Sequence, residues 1–241
     1  MTEHYQGDLF DVKGLNVVII GSSGHICSEF ARAYARAQSN LFLIDINKEK
    51  LSEITKNLKT NNTIVEGIVA DCTQKTSLQD ALIKILSITN RIDVVINGAG
   101  LNAPTPFLDI SENEWDSILD VILKATMFSC QVFGEYMIKT GSGSIINISS
   151  ASADPPLSKA FTYSVAKARV VNLTKNLARE WASKNIIVNC IRPGFFPTKW
   201  NLENFIDKKR EEAILNHTPL KRFGTPDELV GAAFAQNTSR T

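Results

Sequence analysis

The sequence predicts a doubly wound α/β domain on a parallel sheet, and three observations predict it. Short β-rich runs alternate with longer helical patterns from one end to the other, the sign of repeated βαβ units. Each short run is nearly continuous in apolar residues, as expected of strands covered by helices on both faces. No linker, repeat or low-complexity tract divides the 241 residues, so 1–241 reads as one domain.

The first strand is expected at 15–20, then helix 24–38, strand 41–44, helix 48–58, strand 63–69, helix 76–88 and strand 92–96. Ser111 and Glu114 are spaced as a capping box, and Trp115, Ile118, Leu119, Ile122, Leu123 and Met127 follow at helical intervals. One long helix over 111–139 is expected. Strand 144–148, helix 161–183 and strand 186–191 come next, and Pro193 and Gly194 then break the chain. The stretch 195–220, with Pro197, Pro219 and scattered charges, is expected to be a mobile helical lid rather than a second domain.

Hydrophobic residues at 44% and charged residues at 21% exclude a disordered or fibrous chain. With 26 Lys plus Arg against 25 Asp plus Glu, no electrostatic footprint for nucleic acid exists. Apolar runs such as 17–20 and 94–96 fall far short of the roughly 20 residues that span a bilayer. The start, 1–13, is polar and lacks the basic-then-apolar order of a secretory signal, so no membrane and a cytoplasmic location are expected. Cys27, Cys72, Cys130 and Cys190 are scattered, without a C-x-x-C or a histidine at ligand spacing. Free buried thiols are expected, and no metal.

Two constellations carry chemistry. Gly21-Ser22-Ser23-Gly24-His25-Ile26-Cys27 leads from the first strand into a helix, and Asp45 closes the second strand. Glycine lets the backbone approach a pyrophosphate, the helix amino end offers free N–H groups, and an acid can accept from a ribose 2′-hydroxyl. A plain tight turn gives the same pattern; a P-loop does not, since no Gly-Lys-Ser/Thr follows. The second constellation is Tyr163 and Lys167, four apart on one helical face, with Ser149 and Ser150 at the end of the preceding strand. A cation near a phenol lowers its pKa and makes it a usable acid and base. An amphipathic helix with a surface lysine is the alternative.

In order and spacing, these residues resemble the short-chain dehydrogenase/reductases over nearly the whole chain, from Val17 to about Ala233. The resemblance rests on the glycine turn, Asp45, Asp71, Asn97-Gly98-Ala99-Gly100, Ser150 placed 13 residues before Tyr163, Lys167, and Arg192-Pro193-Gly194 followed by Thr198. It implies a Rossmann-type fold and reversible hydride transfer between a nicotinamide and a secondary alcohol or ketone. Tyr163 would move the proton, Ser150 would orient the substrate oxygen, and Lys167 would lower the phenol pKa and bind the nicotinamide ribose. Gly21, Ser23, Gly24, His25 and Ile26 would line the pyrophosphate turn, Asp71 and Cys72 would flank the adenine, and Asn97 and Ala99 would support the adenosine ribose. Pro193, Gly194, Phe196 and Thr198 would meet the carboxamide. Asp45 would repel a 2′-phosphate, which makes NAD the expected cofactor.

Within that family, the stretches 97–102 and 218–224 are similar to those of sugar-acid dehydrogenases of the gluconate 5-dehydrogenase type. They imply a small polar sugar acid or polyol as substrate, with a 3-oxoacyl-acyl-carrier-protein reductase as the alternative, and a homotetramer as the assembly. Three departures stand against the family pattern. Ile20, His25 and Cys27 occupy places usually held by Thr, Gly and Gly, and Ile122 stands where an asparagine of the catalytic set is usual. The usual last strand ending in Asp-Gly-Gly has no counterpart before Thr241, which would weaken the tetramer. Together they keep open a second reading, an NAD-binding protein with little or no turnover.

Overall fold

The computed structural model describes residues 10–154, 160–204 and 206–237. Six parallel strands, β1 (Asn16–Ile20), β2 (Asn40–Asp45), β3 (Val65–Val69), β4 (Val94–Asn97), β5 (Gly143–Ile148) and β6 (Ile186–Ile191), form a sheet in the order β3-β2-β1-β4-β5-β6. All neighbours pair parallel, with Ile20 opposite Ile44 on one side and Asn97 on the other. Because side chains alternate along a strand, Val17 and Ile19 join one core with Phe30 and Tyr34, while Val18 and Ile20 join the other with Leu78, Ile85 and Phe133. Two-sided burial is why each strand reads as a continuous apolar run.

The helices are α1 (His25–Arg36), α2 (Lys48–Leu58), α3 (Lys75–Leu86), α4 (Glu112–Leu119), α5 (Ala125–Thr140), α6 (Phe161–Trp181), α7 (Lys199–Asn204), α8 (Lys208–Asn216) and α9 (Val230–Ala235). Helix α1 with α2 and α9 covers one face of the sheet, and α3 with α5 covers the other. Expected boundaries and observed ones differ by a residue or two at most strand and helix ends, where fraying is ordinary.

One expectation changes in kind. The single helix expected over 111–139 is interrupted by a π-helical turn, Asp120–Lys124, between α4 and α5. Ser111 does cap its start, accepting from the Glu114 amide at 3.1 Å. The stretch 195–220 holds two short helices, α7 and α8. The run Glu112–Thr140 is long and apolar enough by composition to cross a membrane, but half of its most apolar window is buried inside the fold. Its apolar residues Cys130, Val132, Phe133 and Met137 are core.

Helix α9 folds back on α1. The Phe234 and Tyr34 rings meet edge-on at 4.8 Å, the Tyr34 hydroxyl donates to the Ala233 carbonyl at 3.4 Å, and Ser144 donates to the Gln236 carbonyl at 2.8 Å. The expectation about the amino terminus falls largely on 1–9, and that about the chain's ending largely on 238–241; both stretches lie outside the described residues.

Candidate active site

The expected site residues gather at the carboxyl ends of the strands, around the switch point between β1 and β4 where the strand order reverses. That crevice is where ligands bind in open α/β sheets. Gly21, just past β1, has φ +75°; its N–H donates to the Ile44 carbonyl at 2.9 Å and its carbonyl accepts from the Gly24 amide at 3.0 Å. A Cβ there would lie 2.7 Å from the main chain of Ala99, so the two loops after β1 and β4 touch backbone to backbone. Gly24 is the N-cap of α1 and offers no side-chain cap, and the first turn, with His25, Ile26 and Cys27, carries no acid. An uncapped, acid-free amino end leaves its N–H groups and positive dipole end for an anion.

Cys27 takes the place where the family pattern has glycine, and the fold makes room for it elsewhere. A Cβ on Gly98 would fall 2.0 Å from the Cys27 sulfur, so the space lost at 27 is recovered at 98. The thiol is 3% exposed and burial pushes it up to about 12. It is a packing group, and the tight approach of α1 to β4 survives the substitution.

Asp45 closes β2 and uses both oxygens: one accepts from the Ser23 amide at 3.0 Å, the other from the Asn47 amide at 3.0 Å. The carboxylate therefore holds the glycine turn to the end of β2. Asp71, beyond β3, accepts from the Thr73 amide and hydroxyl at 2.9 and 2.7 Å, and Cys72 packs at the edge of the second core. Asn97 ends β4 with its amide donating to Asn147 at 2.8 Å, and Asn147 donates in turn to Thr174 on α6 at 2.9 Å. This buried polar chain ties β4, β5 and α6 together.

Ser150 follows β5, and Tyr163 and Lys167 stand one turn apart on α6. Burial pushes the Tyr163 phenol above its ordinary value, and the nearby Ser150 hydroxyl pulls it partly back. The Ser150 oxygen accepts from the Ser152 amide at 3.1 Å. Lys167 is 4% exposed; its amine donates to the Ile148 carbonyl at 2.7 Å and lies over the Tyr163 ring, 5.5 Å from the centroid. Burial pulls the Lys167 pKa down to about 8. Ser149 completes the arrangement by donating its hydroxyl to the Lys167 carbonyl at 2.7 Å. Two bonds of opposite direction thus strap this turn of α6 to the end of β5. Sequence reasoning placed Ser149 beside the site without a task; the strap is visible only in three dimensions.

The loop after β6 is fixed to the Ser150 loop. The Ala151 amide donates to the Pro193 carbonyl at 2.8 Å, and Arg192 reaches the Ser150 carbonyl at 3.4 Å. Gly194 faces open space, and the Phe196 ring lies against Gly224. Thr198 is turned into the start of α7, where its amide and hydroxyl donate to Asn201 at 3.0 and 2.8 Å. No cluster of three metal-ligating side chains exists among the described residues.

These features fit a nicotinamide dinucleotide. A glycine turn with no room for a side chain, an uncapped helix end and an acid at the second strand form a cradle, and a phenol, a serine and a lysine meet at its far end. Comparison with known proteins agrees. The profile of the short chain dehydrogenases matches residues 15–209. The chain is 30% identical to a D-threitol dehydrogenase from Mycolicibacterium smegmatis, over 93% of this chain and 86% of that protein. It is 32% identical to a 3-oxoacyl-acyl-carrier-protein reductase from Thermotoga maritima, over 90% of this chain and 88% of that one. A solved gluconate 5-dehydrogenase from Burkholderia cenocepacia, in complex with NADP and tartrate, superposes with a TM-score of 0.89 at 27% identity, covering 96% of this chain and 91% of that one.

Proposed function

The chain belongs to the short-chain dehydrogenase family, oxidoreductases that work on alcohols and ketones with a nicotinamide cofactor, and on that premise we propose an NAD-dependent dehydrogenase of small polar hydroxy compounds, sugar acids or polyols. The observation that carries this reading is the meeting of Tyr163, Ser150 and Lys167. The Tyr163 phenol passes a proton to or from the substrate oxygen, Ser150 holds that oxygen, and Lys167, strapped by Ile148 and Ser149, keeps a cationic group over the phenol ring. A bound nicotinamide supplies or accepts the hydride. Burial alone leaves the phenol a poor acid, so a charge placed close to it favours the phenolate and brings the proton within reach of neutral pH.

Asp45 supports NAD over NADP, since its carboxylate lies against the Ser23 amide where a 2′-phosphate would need cations. His25 is no counterweight: burial, and Arg32 nearby, hold its imidazole below the ordinary 6.5. Likeness to the threitol and gluconate enzymes supports a polyol or sugar acid. Likeness to the Thermotoga reductase keeps a β-ketoacyl thioester as the second reading. Under the first reading the segment 195–220 closes over the substrate, and the protein works in the cytoplasm as a homo-oligomer.

The test is a substrate panel run with both cofactors. Oxidation of polyols or sugar acids is expected, with kcat/KM higher for NAD than for NADP. Faster reduction of an acetoacetyl thioester with NADPH would transfer the protein to the second reading. Tight NADH binding with no turnover on any compound would make it a binding protein instead.

A further inference from the structure

The segment that leaves β6 beside Ser150 is held from outside by a short stretch far along the chain. The Gly224 amide donates to the Phe195 carbonyl at 3.0 Å, and the Phe195 and Phe223 rings lie 5.8 Å apart, tilted. A Cβ on Gly224 would fall 2.2, 2.6 and 2.7 Å from three ring carbons of Phe196, so the ring occupies the space that any other residue at 224 would need.

The stretch is itself braced. Arg222 grips both oxygens of Glu228, at 2.8 and 2.5 Å, and one of those oxygens also accepts the Thr225 amide at 2.8 Å. Such two-point guanidinium–carboxylate pairs fix orientation as well as distance. Arg222 holds the Glu228 carboxyl down at about 2, so the brace persists across ordinary pH. Beyond Glu228, Leu229, Val230 and Phe234 pack into the core that α1 shares, and α1 begins at the glycine turn. One continuous bracket therefore runs from the nucleotide helix through 222–234 to Phe195 and Phe196, and through Pro193 to the Ser150 loop.

We propose that Phe223 and Gly224 form a clasp, and that Gly224 is a positioning residue: its missing side chain sets where the Phe196 ring stands, three residues beyond the Pro193 that is bonded to the Ser150 loop. The inference rests on the dehydrogenase reading for its kinetic consequence, but not for its structural one. Adding a methyl at 224 displaces the far end of a flexible side chain rather than backbone, so the fold survives and the ring moves. Displacements of about 1 Å near reacting groups cost up to about 10²-fold.

The test is a double-mutant cycle of Gly224→Ala and Phe196→Ala. In the wild-type background Gly224→Ala should lower kcat/KM on the order of tenfold, and in the Phe196→Ala background it should cost nothing further. In ligand-free protein labelled with 3-fluorophenylalanine, Gly224→Ala should move the Phe196 fluorine resonance, assigned by its loss in Phe196→Ala. Should Gly224→Ala not fold, Glu228→Gln loosens the same brace without adding atoms, and it should move the same resonance. An unmoved resonance, or an equal kinetic loss in both backgrounds, overturns the proposal. A moved resonance in a protein without dehydrogenase activity would sustain the clasp while removing the function proposed above.

Discussion

Cys27, Cys72 and Cys130 sit where burial pushes their thiols up to about 12, 11 and 12, while the same cause pulls Lys167 down to about 8. The signs oppose each other. Unfolded thiols ionise near 9 while the folded ones keep their protons, so these three groups remove stability as pH rises from 9 towards 11. For Lys167 the folded state releases its proton near 8 and the unfolded state near 10.5, so this one group adds stability across that window. The urea midpoint should therefore rise slightly from pH 8 to 9 and fall steadily above 9, and Lys167→Met should remove the rise. A midpoint still climbing at pH 10.5 would show that the thiols are not held as described. At this scale the sequence was a partial guide. It marked Cys27 as a departure from the glycine pattern, but the compensation at Gly98 depends on a contact across 71 positions, and no spacing rule reports it.

The interrupted helix shows why elements are harder to read at their irregularities than in their existence. Trp115, Ile118, Leu119, Ile122, Leu123 and Met127 keep helical intervals straight through the π-turn Asp120–Lys124, so the pattern carries no mark of the extra residue. The turn shows itself in packing: Ile122 is 1% exposed, set among Ile118, Ala166 and Val170, with its carbonyl accepting from Thr126 at 2.6 Å. Such bulges are frequent at functional sites, and this one lies against the helix that carries Tyr163 and Lys167. Ile122→Asn is expected to raise kcat, because it puts back the asparagine that the family pattern has in its catalytic set at this place. It should also lower the melting temperature, because a buried amide without partners costs about 1–3 kcal/mol. A kcat unchanged across a pH series would show that protons travel another way.

In the molecule as a whole, the strands were legible because two-sided burial writes itself as continuous apolar runs, and their carboxyl ends fixed where the site had to lie. Asp45, Asn97 and Ser150 stand at those ends, as their places in the strand patterns required, and the bond from Lys167 to the Ile148 carbonyl brings α6 to them. The segment beyond β6 was not legible: α7 has six residues and α8 nine, too short for periodicity to declare them. What the site does chemically is most directly tested by Tyr163→Phe, measured for NADH binding by fluorescence titration and for turnover with the best substrate of the panel. The account predicts turnover reduced by about 10²–10⁴-fold or more with an NADH dissociation constant close to that of wild type, because the phenol serves the proton and not the nucleotide. Turnover retained in that variant would contradict it.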